Sequence, residues 1–151
     1  MSRVANNEIS NGWSDFLTID HGMLTNSATT QTFTLPVPAG GIVYDVGVYL
    51  ETAFDGGSIS SLKIDVGDGT DADGYIDDVE IAVDATEVIY TRSNGPLLKD
   101  ASASSTDLHQ GKLYTAADTI DILLTGSHNV DTLDTGKVTV WVDMKRLNPE
   151  A

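Results

Sequence analysis

The sequence contains no cysteine, few basic residues and no long hydrophobic run. Without cysteine there is no disulfide to staple the fold and no thiol for catalysis or metal binding, which fits assembly in a reducing cytoplasm. No apolar stretch approaches the roughly 18 residues that a membrane-spanning helix needs, and the first residues lack the apolar segment of a signal peptide. We therefore expect a protein that is held together by its own hydrophobic core and has no membrane anchor.

The charge is strongly one-sided. Lys and Arg together number 8, against 23 Asp and Glu, which gives a net charge of −15. A surface this negative repels phosphate groups, so binding to nucleic acid or to an anionic membrane is disfavoured. Eighteen of the acids are Asp and five are Glu. Because Asp favours turns and Glu favours helices, we expect most of the charge to lie between strands.

Helical periodicity is almost absent, whereas apolar and polar residues alternate in several segments, which predicts β-strands. Four runs place apolar side chains on one face: Ile42, Tyr44, Val46, Val48 and Leu50; Leu62, Ile64 and Val66; Ile120, Ile122 and Leu124; and Val138, Val140, Val142 and Met144. Weaker strands are predicted at residues 16–19, 32–35, 87–92 and 111–115. Residues 75–85 fit a strand with Val79, Ile81 and Val83 on one face better than a helical turn.

Turns rich in Gly, Pro and Asp separate these runs at regular intervals. Short strands with this punctuation indicate an all-β protein, an antiparallel sandwich or barrel. At 151 residues the chain is long enough for one domain. We predict a single domain over residues 13–151, preceded by a polar N-terminal arm at residues 1–12.

Residues 66–78, VGDGTDADGYIDD, hold five aspartates and three glycines in thirteen positions. With Gly74 at the glycine of an EF-hand loop, carboxylates fall at the third, fifth, ninth and twelfth positions: Asp71, Asp73, Asp77 and Glu80. However, Gly69 occupies the first ligand position, and strands flank the stretch instead of helices. Two interpretations stay open. The stretch is either a turn whose carboxylates face water, or an irregular calcium site made by those four residues.

No catalytic constellation is present in the sequence. The three histidines, His21, His109 and His128, lie in turn-like segments and have no metal-ligand spacing. There is no nucleophile elbow and no phosphate-binding loop. The aspartates of residues 66–78 look equally solvated, whereas acid–base catalysis needs two carboxylates in different environments. We predict that the protein is not an enzyme and has no cofactor, with calcium left open.

Tyr49 and Trp141 stand out among the aromatic residues because the alternation places them on the polar face of their strands. An outward aromatic side chain stacks on a sugar, packs against another protein, or lies under a loop or a second sheet. Tyr49 and Trp141 are therefore candidate interface residues. Combined with the four predicted calcium ligands, they also define an alternative function, a calcium-dependent carbohydrate-binding module.

Two segments resemble the small virion structural proteins of tailed bacteriophages. Residues 33–82 include IVYDVGVYLETAFDGG and GDGTDADG, and residues 112–144 include YTAADTIDILLTG and TGKVTVWVDM. The resemblance implies a jelly-roll-like antiparallel β-sandwich without catalytic residues, in which the turns at residues 55–57 and 67–69 shape the fold.

The same resemblance implies a capsid decoration or cement protein. Such a protein would be a homotrimer, assembled in the host cytoplasm and bound to the major capsid protein on the capsid exterior. A tail or baseplate component is the alternative within the same class.

Overall fold

The computed structural model describes residues 12–83, 85, 91–92, 96–98 and 111–146. Within these ranges the secondary structure is β-strand and single turns of 3₁₀ helix, and no helix is long and apolar enough to cross a lipid bilayer. The strands are β1 (Gly12–Asp20), β2 (Thr30–Val37), β3 (Gly41–Asp55), β4 (Leu62–Gly67), β5 (Ile76–Glu80), β6 (Thr91–Arg92), β7 (Lys112–Tyr114), β8 (Asp118–Gly126) and β9 (Thr135–Arg146).

The strands form two antiparallel sheets that pack face to face. The first sheet has the order β1-β9-β3-β6, with the short β7 paired to one end of β3, and the second has the order β2-β8-β4-β5. When β7 is set aside, the remaining strands in chain order give 1-8-3-6 and 2-7-4-5. The chain thus passes between the sheets as in the double Greek key of a jelly roll. The predicted jelly-roll-like antiparallel β-sandwich is confirmed.

The core lies between the sheets and is built from alternate residues of the long strands. Val138, Val140, Val142 and Met144 of β9 are fully buried, as their alternation predicts. The predicted inward runs of β4 and β8 are buried as well: Leu62, Ile64, Val66, Ile120, Ile122 and Leu124. Each such side chain contributes about 1.5–3 kcal/mol by leaving water. This burial fixes the register of the two sheets, because a slip of one residue would expose the whole run.

The predicted inward run of β3 is wrong at its start. The later part is buried as predicted: Val46, Val48 and Leu50. Ile42 and Tyr44 are only half-buried, and Val43 takes the inward position instead. The pairing of β3 with β9 shifts between Val43 and Asp45. A β-bulge at this point inserts one extra residue, which reverses the alternation on either side of it.

The weaker strand predictions have mixed outcomes. Residues 16–19 and 32–35 lie within β1 and β2, and β7 falls inside residues 111–115. The strand preferred over a helical turn in residues 75–85 is present as β5. Because β5 ends at Glu80, only Ile81 of the predicted face is fully buried, and Val83 is exposed.

Parts of two predictions lie outside the described residues. Of the predicted strand at residues 87–92, only Thr91–Arg92 are described, and they form β6. Of the predicted arm, residues 1–11 are not described, and Gly12 already begins β1.

Candidate functional site

The acidic stretch joins β4 to β5 as a turn organised by one buried carboxylate. Asp68 is only 3% exposed. Its Oδ1 accepts hydrogen bonds from the Thr70 backbone N–H (2.9 Å), the Thr70 hydroxyl (2.6 Å) and the Asp71 backbone N–H (3.0 Å). The Asp68 N–H in turn donates to the Asp71 carbonyl at 2.9 Å. An aspartate side chain that accepts hydrogen bonds from the backbone N–H groups of the residues after it fixes the conformation of the turn.

The other oxygen of Asp68 ties the turn to β7 and to the start of β5. The Tyr114 hydroxyl donates to Asp68 Oδ2 at 2.7 Å, and the hydroxyls of Tyr114 and Tyr75 lie 2.6 Å apart. Burial raises the pKa of both tyrosines well above the ordinary value, so they stay protonated. Burial would also raise the pKa of Asp68, but the hydrogen bonds from Thr70 and Tyr114 outweigh it and lower the pKa. Asp68 is therefore an ionised structural group at neutral pH.

A second group of carboxylates lies beside this turn. Asp65, Asp77 and Asp78 each place one oxygen within 4.8 Å of the others, the only such group of three among the residues the structure describes. The Asp78 N–H donates to Asp65 Oδ1 at 2.7 Å, and Lys63 Nζ lies 2.8 Å from Asp78 Oδ2. Burial raises the pKa of Asp65. The lysine partly neutralises the group, which weakens its attraction for a cation.

The four predicted calcium ligands are not gathered around one point. Asp77 lies with the group just described, whereas a hydrogen bond to the Asp73 side chain raises the pKa of Asp71. The Glu80 carboxylate accepts from the Ser61 hydroxyl (2.6 Å) and the Leu62 N–H (2.8 Å). The reason is that residues 76–80 form a strand, which carries Glu80 about 10 Å beyond Asp77. An EF-hand arrangement is not formed, and calcium binding by these residues stays a prediction.

Aromatic side chains lie on the outer surface of the first sheet. Phe16 is 66% exposed and Tyr49 is 51% exposed. Trp141 is half-buried, and its indole occupies the space above Gly47, where a Cβ atom would overlap the ring. The glycine thus allows a large ring to lie close against the strand next to it.

The strand register places these residues in two adjacent rows. Phe16, Trp141 and Gly47 are cross-strand partners in one row; Thr18, Thr139 and Tyr49 are partners in the next. The hydroxyls of Thr18 and Thr139 lie 2.8 Å apart and can satisfy each other. We call this surface the aromatic face and define it by Phe16, Thr18, Tyr49, Thr139 and Trp141.

Charged residues border the aromatic face. The row beyond Thr18 and Thr139 pairs Asp20 with Lys137, and the row beyond Trp141 pairs Asp143 with Asp45. Past Gly47, the backbone pairing continues from β3 to β6. An uncharged centre with aromatic residues and a charged margin is the usual layout of a protein–protein interface.

Both aromatic residues singled out from the sequence, Tyr49 and Trp141, lie on the aromatic face, and their role in an interface stays a prediction. Phe16, which is the more exposed of the large aromatic residues there, was missed. The signal was present: Leu17 and Ile19 are apolar and face the core, so alternation turns Phe16 outward. The run at residues 16–19 was too short for that alternation to be decisive.

The aromatic face and the acidic groups lie on different sheets. Asp65 belongs to β4 of the second sheet, on the side opposite to the buried Ile64 and Val66. Tyr49 and Trp141 point away from the core on the first sheet. The core of a sandwich is about 10 Å thick. One small sugar therefore does not reach both groups at once.

Comparison with known proteins yields a structural similarity. No family model and no curated protein match the sequence. The structure is similar to a chain of the solved "Cyanophage Pam1 capsid asymmetric unit", with a TM-score of 0.55 and 18% sequence identity. The similarity covers 90% of this chain and 86% of that chain. At this identity it shows a shared fold, and that fold extends over nearly the whole length of both chains.

Proposed function

We propose that the chain is a structural protein of a bacteriophage virion, a decoration or cement protein that binds the head exterior and stabilises the shell. The observation that carries this proposal is the structural similarity, over 90% of the chain, to a chain of a phage capsid asymmetric unit. The sequence resemblance of residues 33–82 and 112–144 to small phage virion proteins supports the same class. Fold similarity and sequence resemblance are separate observations, and they agree.

The molecule suits adhesion. Its core fixes two sheets rigidly, so a surface on either sheet binds without first being ordered, which lowers the entropy cost of association. A homotrimer that bridges neighbouring copies of the major capsid protein would add effective concentration to each modest contact. The charge of −15 suits the capsid exterior, away from packaged DNA. The binding free energy of many such contacts, summed over the shell, would resist expansion of the shell by the packaged DNA.

We infer no catalytic role for the buried titratable residues. Asp68, Tyr75 and Tyr114 direct their polar atoms at one another and at the turn backbone. The shifts lower the pKa of Asp68 and raise the pKa of both tyrosines, which moves each away from neutrality. A general acid or base works best with a pKa near the working pH. Their arrangement supports a structural role.

The test uses heads of the phage that encodes the chain, assembled without it. Purified chain should co-sediment with these heads and raise the temperature at which they rupture. Heads that already carry the protein are the control and should take up no more. Failure to bind, together with an unchanged rupture temperature, would reject the proposal. A tail or baseplate role predicts binding to tails instead, and gold labelling of intact virions separates the two.

A calcium-dependent carbohydrate-binding module is the second candidate. It is favoured by the exposed Tyr49 beside Trp141 and by the fact that some lectins share the jelly-roll fold. It is weakened because the carboxylate group lies on the other sheet. Calorimetric titration of the chain with calcium, followed by a glycan panel, tests it. Heat of binding in both steps would favour it over the virion role.

A further inference from the structure

We infer that the aromatic face is the surface by which the chain docks on the phage shell, against a patch of shell protein that is apolar at its centre and basic around it. This inference rests on the proposed function and adds the side of the sandwich that makes the contact. It is carried by the charge pattern, by the geometry of the aromatic residues and by a comparison with the opposite face of the same molecule.

The charge pattern isolates the aromatic face. Charged residues make up 21% of the chain, yet two adjacent rows across β1, β9 and β3 contain none. Strand spacing makes this neutral centre about 10 Å wide and about 7 Å tall between Cα positions. Charged groups are costly to bury unless they are paired, so a partner can cover a neutral centre at the lowest cost in desolvation free energy.

The Trp141 ring packs against the sheet before any partner binds. Trp141 lies over Gly47 and next to Phe16, which is its direct partner on β1. The Thr18 and Thr139 hydroxyls are 2.8 Å apart, so covering them leaves neither without a partner. Trp and Tyr in rigid, desolvated positions dominate the energetics of protein interfaces. The aromatic face therefore has the composition of an energetic centre.

The opposite outer surface of the sandwich lacks these properties. We call it the threonine face and define it by three rows across β2, β8 and β4: Thr30, Thr125 and Lys63; Thr32, Leu123 and Asp65; Thr34, Asp121 and Gly67. Every row contains a charged residue, and none contains an aromatic residue. Both faces are built on the same scaffold, so the difference is a property of the side chains and not of the fold.

The charge at the margin of the aromatic face decides between a second copy and a different protein as the occupant. If two copies met through their aromatic faces, their acidic margins would face each other and repel, so a homotrimer would form through another surface. The described margin of the aromatic face holds three exposed acids, Asp20, Glu51 and Asp143, against Lys137 and Lys145. Lys137 already lies 3.4 Å from Glu51, and Lys145 lies over the Tyr44 ring at 5.6 Å. A basic-rimmed shell protein complements this surface, whereas a copy of the chain does not.

The test measures the affinity of single variants for heads assembled without the protein. Phe16→Ser and Tyr49→Ser should each weaken binding by roughly thirtyfold, the size of an interface hot spot. Val83→Ser is the matched control, because Val83 is 49% exposed and lies outside the aromatic face. Its affinity should stay within about twofold of the wild type. The unfolding temperature of each variant, measured on the free protein, shows that the fold is kept.

A second pair of variants compares the aromatic face with the threonine face by adding a charge, without removing an apolar side chain from either face. Thr18→Glu places a carboxylate in the neutral centre, and Thr32→Glu places one at the matching edge-strand position of the threonine face. Only the first should weaken binding, by tenfold or more.

The possible outcomes separate the inference from the function. If the wild type binds heads and all variants bind equally, the docking surface is wrong and the virion role stands. If the wild type does not bind heads, the virion role fails. If Phe16→Ser abolishes self-association in sedimentation experiments and head binding falls only as a result, the occupant is a second copy and the inference is overturned.

Discussion

The two outer faces of the sandwich are equivalent in architecture and different in chemistry. Each spans an edge strand, a central strand and a third strand, and each has a glycine at the end of one row: Gly47 on the aromatic face and Gly67 on the threonine face. Above Gly47 lies the Trp141 side chain, whereas above Gly67 lies the backbone of the acidic turn. One glycine makes room for a ring at the surface, and the other allows the chain to fold back on itself.

Under the proposed docking role, one scaffold separates two tasks. Burial of the inner faces fixes both sheets, so neither outer face has to contribute much to folding. On the second sheet polar side chains are used within the chain: Asp68 accepts from backbone N–H groups of the turn between β4 and β5, and Glu80 accepts from the Leu62 N–H at the start of β4. On the first sheet large aromatic residues remain at the surface, where they stabilise the monomer little. The role we propose for them is a contact with another molecule.

The largest effect on stability is expected at Gly67. In Gly67→Ala the new methyl group overlaps the backbone of Asp71 and Ala72, which moves only if the turn is rebuilt. We expect a loss of about 3 kcal/mol or more in the free energy of unfolding, measured by urea titration. In Gly47→Ala the nearest atoms to the new methyl group belong to the Trp141 ring, a side chain that can shift, so the change should cost about 1–2 kcal/mol. Equal losses would contradict the difference between the two glycines.

The next effect is expected at the buried carboxylate. Asp68→Ala removes the acceptor for the Tyr114 hydroxyl and for three donors of the turn. We expect a loss of about 2–3 kcal/mol in the free energy of unfolding. Tyr75→Phe removes only one end of the chain of hydroxyls and should cost about 1 kcal/mol. Asp73→Ala, an exposed neighbour, is the control and should change stability by less than about 0.5 kcal/mol. A loss at Asp73 as large as that at Asp68 would refute the structural role given to Asp68.

The same carboxylate should make the fold sensitive to acid. Because the pKa of Asp68 is lower in the folded state than the roughly 3.9 of an unfolded chain, its ionisation stabilises the fold above pH about 4. That stabilisation is lost as the pH falls through the folded-state pKa. The free energy of unfolding of the wild type should therefore exceed that of Asp68→Asn at about pH 5, and this difference should disappear by about pH 2, as followed by urea titration at each pH. If the difference in free energy of unfolding stays constant over this range, Asp68 is not responsible for the acid sensitivity of the fold.

The smallest effect is expected from calcium. Lys63 already partners Asp78, and Glu80 is engaged by Ser61 and Leu62. We expect the unfolding temperature to stay the same in EDTA and in millimolar calcium. A site filled to about 100 times its dissociation constant would instead add about 2.7 kcal/mol and raise that temperature clearly. Such a rise, lost in Asp77→Asn, would restore the calcium site as a functional feature of the second sheet.

Much of the fold was predictable because the buried strands alternate without interruption. The runs of β4, β8 and β9 follow a strict period of two, and the core they form leaves no freedom in register. The bulge near Val43 was not predictable, since Ile42, Val43 and Tyr44 are all suited to a strand interior. Only the pairing with β9 decides which of them faces the core.

The candidate site was predictable in part for the same reason. Alternation alone turned Tyr49 and Trp141 outward, but their position beside Phe16 depends on the pairing of β1 with β9, which joins distant parts of the chain. The roles within the acidic stretch were hidden. Composition makes its aspartates look alike, and only the tertiary contact with Tyr114 distinguishes Asp68 from the others. The local sequence predicts which face of the sheet a side chain lies on. The residues that it contacts depend on which strands pair, and the local sequence does not determine that pairing.

The most direct test of the proposed virion role is a cryo-electron microscopy reconstruction of heads assembled without this chain and then incubated with it. We expect added density on the outside of the shell into which the sandwich fits, with Phe16, Tyr49 and Trp141 turned toward the shell. Heads whose surface gains no density, or chains found inside the shell, would contradict that role.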